Sequence, residues 1–93
     1  MIQSFADKDT ERLWNRERVR SIDSRIHSVA LRKLRQLGYA QTLDELRIPP
    51  GNRLEALKVD RRGQFSIRIN DQWRICFRWS AAGPEEVEIV DYH

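Results

Sequence analysis

A chain of 93 residues is long enough for one domain and one core, with no surplus for a second. Its single cysteine, Cys76, excludes an internal disulfide and suits a reducing compartment. The polar opening MIQSFADKDTE has no signal-peptide core and no run reaches a membrane span, so the sequence predicts a cytoplasmic protein without a membrane partner. Lys and Arg number 17 against 14 Asp and Glu, and only Lys8, Lys33 and Lys58 are lysines. A net charge of +3 carried mainly by planar guanidinium groups tilts the partner towards a polyanion.

In chain order, residues 2–5 read as a short strand. Asp7 or Asp9 then caps a helix running to Trp14, with Thr10 and Glu11 in its first turn. Residues 15–20 are polar and form an exposed connection. The clearest helix spans about 24–37. Ile22, Ile26, Val29, Ala30, Leu34 and Leu37 fall at steps of three and four and make one apolar stripe, while Arg25, Arg32, Lys33 and Arg35 lie off it or beside it. Gly38 is placed to cap that helix. Thr42-Leu-Asp-Glu has the capping-box pattern of a short turn, and Pro49-Pro50-Gly51-Asn52 stops any helix there.

The remainder reads as four strands, at 53–59, 64–69, 73–80 and 86–90. Phe65, Ile67 and Ile69 alternate with Ser66 and Arg68; Trp73, Ile75, Phe77 and Trp79 alternate with Arg74, Cys76 and Arg78. A two-residue loop at Asn70-Asp71 would set these apolar faces on opposite sides of the sheet. A three-residue loop, Asn70-Asp71-Gln72, pairs Ile69 with Trp73 and Ile67 with Ile75, so the longer, bulged loop is predicted. Two helices should then cover the apolar face. Arg68, Arg74 and Arg78 should share an open polar face, with Trp73 and Trp79 in the core.

An RNA phosphodiester can be cut by its own 2′-hydroxyl, given a base, an acid for the leaving 5′-oxygen and cations for the charge on phosphorus. Two histidines and one cysteine cannot close a zinc site, and no tight acidic cluster stands out, so no metal site is predicted. Arg74, flanked by Trp73 and Ile75, is either a strand arginine in an ordinary ion pair or a phosphate clamp. Lys58 with Asp60-Arg61-Arg62-Gly63 is either a charged hairpin loop or a basic contact. His93, in Asp91-Tyr92-His93, is either a frayed end or a proton carrier whose imidazolium form the nearby anions favour. His27 reads as a helix residue.

The motifs themselves carry a resemblance. Residues 51–79 (GNRLEALKVDRRGQFSIRINDQWRICFRW), with the closing Asp-Tyr-His at 91–93, resemble the HigB toxins, the plasmid-maintenance killer family of the RelE superfamily. The resemblance spans essentially the whole chain. It implies one domain over residues 1–93, an α+β fold with two N-terminal helices packed on a mostly antiparallel sheet of four or five strands. It further implies a toxin of a type II toxin–antitoxin system that cleaves mRNA on the ribosome, in the 30S A site, without metal or organic cofactor. Its partners would be a helix-turn-helix antitoxin of the HigA type and, through that antitoxin, operator DNA. Residue by residue, Lys58, Arg74, Asp91, Tyr92 and His93 match the family's active-site positions. Arg74 and Lys58 would stabilise charge on phosphorus, His93 would transfer protons, Asp91 would orient it and Tyr92 would position RNA. Arg53, Arg61, Arg62, Arg68 and Arg78 are the RNA-binding candidates. Glu55 stands where a well-studied branch has histidine: either Glu55 takes over as general base, or proton transfer rests on the terminal residues. The competing readings are a non-catalytic basic nucleic-acid-binding module or corepressor acting with its antitoxin, and a toxin gone inactive that only sequesters one.

Overall fold

In the computed structural model, which describes residues 1–91, four strands form one antiparallel sheet in the order β1-β2-β3-β4: β1 Glu55–Ala56, β2 Phe65–Arg68, β3 Trp73–Ser80 and β4 Gly83–Asp91. Two helices, α1 (Lys8–Trp14) and α2 (His27–Tyr39), pack against one face. The architecture is the predicted α+β arrangement of two helices on a four-stranded sheet.

Alternation decides the sheet. Ile67 pairs with Ile75 and Arg68 with Arg74, and the Ile69 N–H donates to the Trp73 carbonyl at 2.9 Å. This is the register of the three-residue loop. Asn70 closes it by accepting from the backbone N–H groups of Gln72 (2.8 Å) and Trp73 (2.7 Å), and its own N–H bonds the Trp73 carbonyl, which makes the bulge. Ile67, Ile69, Trp73, Ile75, Phe77, Val87 and Ile89 thereby face the helices, where Leu34, Leu37 and Leu46 are fully buried against them. Trp73 is buried as expected, and Trp79 packs half-buried beside the same core. Truncating Leu34 or Phe77 to alanine would cost about 2–5 kcal/mol, the usual range for emptying a core position.

A bulge shapes β4. Cys76 pairs with Glu88 but Arg78 pairs with Glu85, so Glu86 and Val87 together oppose Phe77, with Glu86 at φ 52°. The opening segment lies parallel along the outer edge of β4. Gln3 N–H donates to the Pro84 carbonyl, Val87 N–H to Ser4 and Ala6 N–H to Val87, around a single bridge between Phe5 and Val87. The expected N-terminal strand is thus reduced to one bridge, yet it covers an edge that would otherwise present free backbone groups. Buried Thr10 of α1 completes the cover by accepting from the Ile89 N–H at 2.9 Å.

Four sequence expectations change. The strand predicted at 53–59 shrinks to Glu55–Ala56, because Arg53 takes a left-handed conformation (φ 45°) before it and Val59–Arg61 forms a 3₁₀ turn after it. The second helix starts as a 3₁₀ turn, Ser24–Ile26, capped by the Asp23 carboxylate, which accepts from the Arg25 N–H. Gly38 is no cap: the helix continues through Tyr39 and ends at extended Ala40. Lys33 is buried rather than set aside from the stripe. Its ammonium donates to the Oδ1 of Asn52, itself fully buried, whose amide holds the Leu46 carbonyl at 3.0 Å. Burial, with Arg32 and Arg68 nearby, pushes the Lys33 pKa down. The capping box does form: the Glu45 carboxylate accepts from the N–H groups of Thr42 (2.7 Å) and Gln41 (3.0 Å).

Candidate catalytic face

The register builds the polar face row by row. Glu55, Ser66, Cys76 and Glu88 are successive cross-strand partners over all four strands, and so share one side of the sheet. Arg68 and Arg74 pair in the neighbouring row, opposite Val90. Arg74 is the focus. Its side chain is only 15% exposed, its Nη1 donates to Ser66 Oγ at 2.6 Å, and the same nitrogen lies 3.2 Å from Glu55 Oε1. A strand gives the Arg74 Cα little freedom, and two oxygens, one on neighbouring β2 and one on β1 beyond it, fix the guanidinium. The arrangement is a cation in a set position with a carboxylate beside it.

A second pair crosses the same face. Arg61, on the turn after β1, reaches Glu88 Oε1 on β4 at 2.7 Å and Gln64 Oε1 at 3.0 Å. Cys76 lies in the row beneath, fully buried, and burial pushes its thiol pKa up. A thiol held protonated is a poor nucleophile, so Cys76 acts as filling between the rows. Arg78 pairs with Glu86 at 2.6 Å, and Arg68 pairs with Asp71. The expected open arginine face is therefore corrected. Arg61, Arg68, Arg74 and Arg78 do lie on one side, but each is matched by a carboxylate that strand register, the β4 bulge or a turn brings to it. Such part-exposed pairs contribute about 1 kcal/mol or less apiece, so their main effect is orientation.

Lys58 precedes the 3₁₀ turn that Arg61 belongs to, is exposed, and its carbonyl accepts from the Arg61 N–H at 3.2 Å. Two left-handed residues shape this loop, Val59 (φ 56°) and Gly63 (φ 90°). The φ of Gly63 is one that side-chain-bearing residues rarely adopt, which favours glycine there, and the space a Cβ would take is occupied by the end of the Arg78 side chain. Arg53 and Arg62 are exposed and form no ion pair among the described residues. Asp91 is the partner of Trp73, one residue out of phase with Arg74, and its carboxylate accepts from Gln72 Nε2 at 3.0 Å. The register therefore groups Arg74 with Glu55 and sets Asp91 at the end of β4, beside the loop between β2 and β3. Tyr92 and His93 lie outside the described residues. His27 is structural: its Nε2 lies 2.8 Å from the Ile22 carbonyl, which as an acceptor holds the proton on that nitrogen.

Two site residues went unnoticed in the sequence. Ser66 was within reach, because the loop that pairs Arg68 with Arg74 also turns Ser66 to the arginine side. Glu88 was not, because its pairing with Arg61 spans 27 positions and its facing depends on the β4 bulge. Among the described residues no three His, Cys, Asp or Glu side chains group as metal ligands.

Comparison with known proteins supplies the relatives. A family model described as the RelE-like toxin of the type II toxin–antitoxin system HigB matches residues 3–93. Toxin HigB-1 of Vibrio cholerae serotype O1 is 44% identical over 80 residues, covering 85% of this chain and 84% of that protein. An uncharacterized protein of Haemophilus influenzae is 34% identical over 58 residues, 62% of this chain and 57% of its own. Among solved structures, a YoeB/ParE toxin from Agrobacterium tumefaciens superposes at a TM-score of 0.54 over 99% of this chain and 96% of its own, at 22% identity, a likeness of fold alone.

Proposed function

The chain belongs to the HigB-like family, RelE-like toxins of type II toxin–antitoxin systems, and from that membership we propose that it is an endoribonuclease that cleaves mRNA in the ribosomal A site and is held in check by a HigA-type antitoxin. The observation that supports the chemistry is Arg74, fixed between Ser66 and Glu55 on the polar sheet face. In this reading the scissile phosphate docks on Arg74, and Lys58 adds charge from the neighbouring loop. A base takes the proton of the 2′-hydroxyl, and that oxygen attacks phosphorus. The bond to the 5′-oxygen breaks, and an acid returns a proton to it, leaving a cyclic 2′,3′-phosphate and a 5′-hydroxyl. The two cations hold the extra negative charge on the pentacoordinate phosphorus. Glu55 is the base candidate among the described residues. His93 is the acid, oriented by Asp91, and Tyr92 holds the RNA; these three roles rest on the family's motif.

No step calls for a metal or an organic cofactor. Exposed Arg53 and Arg62 are the first RNA contacts. Arg61, Arg68 and Arg78 follow, where the RNA backbone competes with Glu88, Asp71 and Glu86 for them. The ribosome supplies what so small a protein lacks, a rigid frame that brings the 2′-hydroxyl in line. The antitoxin, a helix-turn-helix protein, carries the pair to operator DNA.

The test is a reconstituted translation reaction with purified chain, read by primer extension. Cuts at ribosome-occupied positions, with naked mRNA intact at the same concentration, are expected. Rapid cutting of naked RNA that a chelator abolishes and magnesium restores would overturn the reading. Binding of RNA with no cutting in either setting would favour the non-catalytic module.

A further inference from the structure

The helical layer carries a surface of a different kind. Ile2, Trp14, Leu31 and Tyr39 line a cleft of about 680 Å³ between the opening segment and the outer sides of α1 and α2, together with Arg16 and Arg35. Its floor is open because Gly38 has no side chain there: a Cβ would come within 3.4 Å of Trp14 Cη2 and 3.7 Å of Ile2 Cγ1. Tyr39 is 82% exposed at the end of α2. The Trp14 indole N–H and the Tyr39 hydroxyl make no hydrogen bond among the described residues. Apolar aromatics with unused polar ends, beside arginine, are the residue types that anchor protein interfaces.

Charge decides what fits. Neither Arg16 nor Arg35 forms an ion pair among the described residues, nor do Arg18, Arg20 and Arg32 on the same layer, and no carboxylate lines the cleft. A second copy of this chain would set arginine against arginine. An RNA backbone would satisfy the arginines but gain little from an apolar floor. A polypeptide with apolar anchors flanked by Asp or Glu satisfies both. We propose that this cleft is the docking surface for the antitoxin, which enters it with an amphipathic acidic segment, apolar side chains over Gly38 and carboxylates on Arg16 and Arg35. The proposal rests on the reading of the chain as the toxin of a type II pair, which supplies a protein partner.

The probe is the purified helix-turn-helix protein encoded beside this gene, titrated against the full chain by calorimetry. The parent chain is expected to bind it. The double variant Arg16→Glu/Arg35→Glu should bind at least 100-fold more weakly, and Tyr39→Asp about tenfold more weakly. Both variants should still arrest growth when expressed alone, since they leave the sheet face untouched, and the neighbouring protein should no longer relieve that arrest at a dose that rescues the parent. Arg35→Lys, which keeps the charge, should bind within threefold of the parent and guards against a folding artefact. Affinity of the double variant within threefold of the parent would overturn the proposal. So would loss of ribosome association with affinity for the antitoxin unchanged, which would assign the surface to RNA. A parent chain that neither binds the neighbouring protein nor is relieved by it overturns the toxin reading itself, and the docking surface with it.

Discussion

Arginine serves two different ends on the two layers. On the sheet face Arg61, Arg68, Arg74 and Arg78 each meet a carboxylate, three of them at 2.6–3.2 Å. On the helical layer Arg12 pairs with Asp9 and Arg25 with Asp23, each within three residues, while Arg16, Arg18, Arg20, Arg32 and Arg35 form no ion pair among the described residues. The difference follows from geometry. A sheet places its residues in rows about 5 Å apart, so Glu55, Glu86 and Glu88 fall within reach of neighbouring cations. On the helical layer the pairs that form are local ones, and Arg16, Arg18 and Arg20 on the connection after α1, with Arg32 and Arg35 on α2, are left without a carboxylate among the described residues. A guanidinium that must meet one phosphate at a reacting centre benefits from being held before the substrate arrives. A guanidinium that meets a protein partner can be ordered on binding, at a cost the interface offsets.

The comparison can be broken most sharply at Arg74. Arg74→Ala should slow ribosome-dependent cleavage about 100- to 1,000-fold, the usual loss for one preorganised electrostatic contact. Arg35→Ala, on the other layer, should leave the rate within about twofold. Equal losses at the two positions, measured by primer extension, would erase the distinction. Glu55→Gln comes next. It keeps the shape beside Arg74 and removes the base, so a tenfold or larger loss is expected if Glu55 takes the 2′-hydroxyl proton. A silent Glu55→Gln together with an inactive chain lacking His93 would move that role to the terminal Asp-Tyr-His.

Smaller effects sharpen the same contrast. Glu88→Gln removes the carboxylate that holds Arg61 across the face. Because both side chains are about a third exposed or less, stability should fall by about 1 kcal/mol in urea titration. Gly38→Ala should act oppositely on fold and partner. Gly38 is helical and the new methyl meets only ordinary contacts, so stability should rise by about 0.5–1 kcal/mol while antitoxin affinity falls as the cleft floor closes. The smallest effect is at Asp23, whose carboxyl is held at about 2 by its hydrogen bonds from Arg25, below the usual 3.8. A depressed folded pKa contributes stability above pH 4 that is lost as pH falls from about 4 to 2. Asp23→Asn should therefore be slightly less stable than the parent at pH 6 and equal to it at pH 2.

Much of this was written locally. The pairing of β2 with β3 was legible because Ile67, Ile69, Trp73 and Ile75 admit a single loop length that buries them all on one side. The second helix was legible from its three-and-four spacing, and the capping box from Thr42 and Glu45 alone. Arg74 and Lys58 stood out through the family motif, and the register then set Arg74 beside Glu55. The loop, the helix and the capping box depend on neighbours within a few residues, where the periods of strand and helix act directly, whereas Glu55 is distant in sequence from Arg74 and meets it only across β1, β2 and β3.

Tertiary structure decided the rest, wherever the outcome depended on residues distant in sequence. Gly38 read as a cap because glycine commonly ends helices; inside α2 it is instead the place where the helix comes close to Trp14 and Ile2. Lys33 read only as lying off the apolar stripe or beside it; its burial depends on Asn52, 19 positions on, which gives its ammonium a buried acceptor. The predicted first strand lost most of its length because only Glu55 and Ala56 find ladder partners on β2. The open arginine face became a paired one because Arg61 meets Glu88 across the sheet, and because Glu86, at the β4 bulge, meets Arg78. Sequence alone thus determined which side chains face the core and which carry charge. Which charges meet, and which remain for a partner, was settled by packing, because an ion pair needs two groups within about 4 Å and only the folded chain sets that distance.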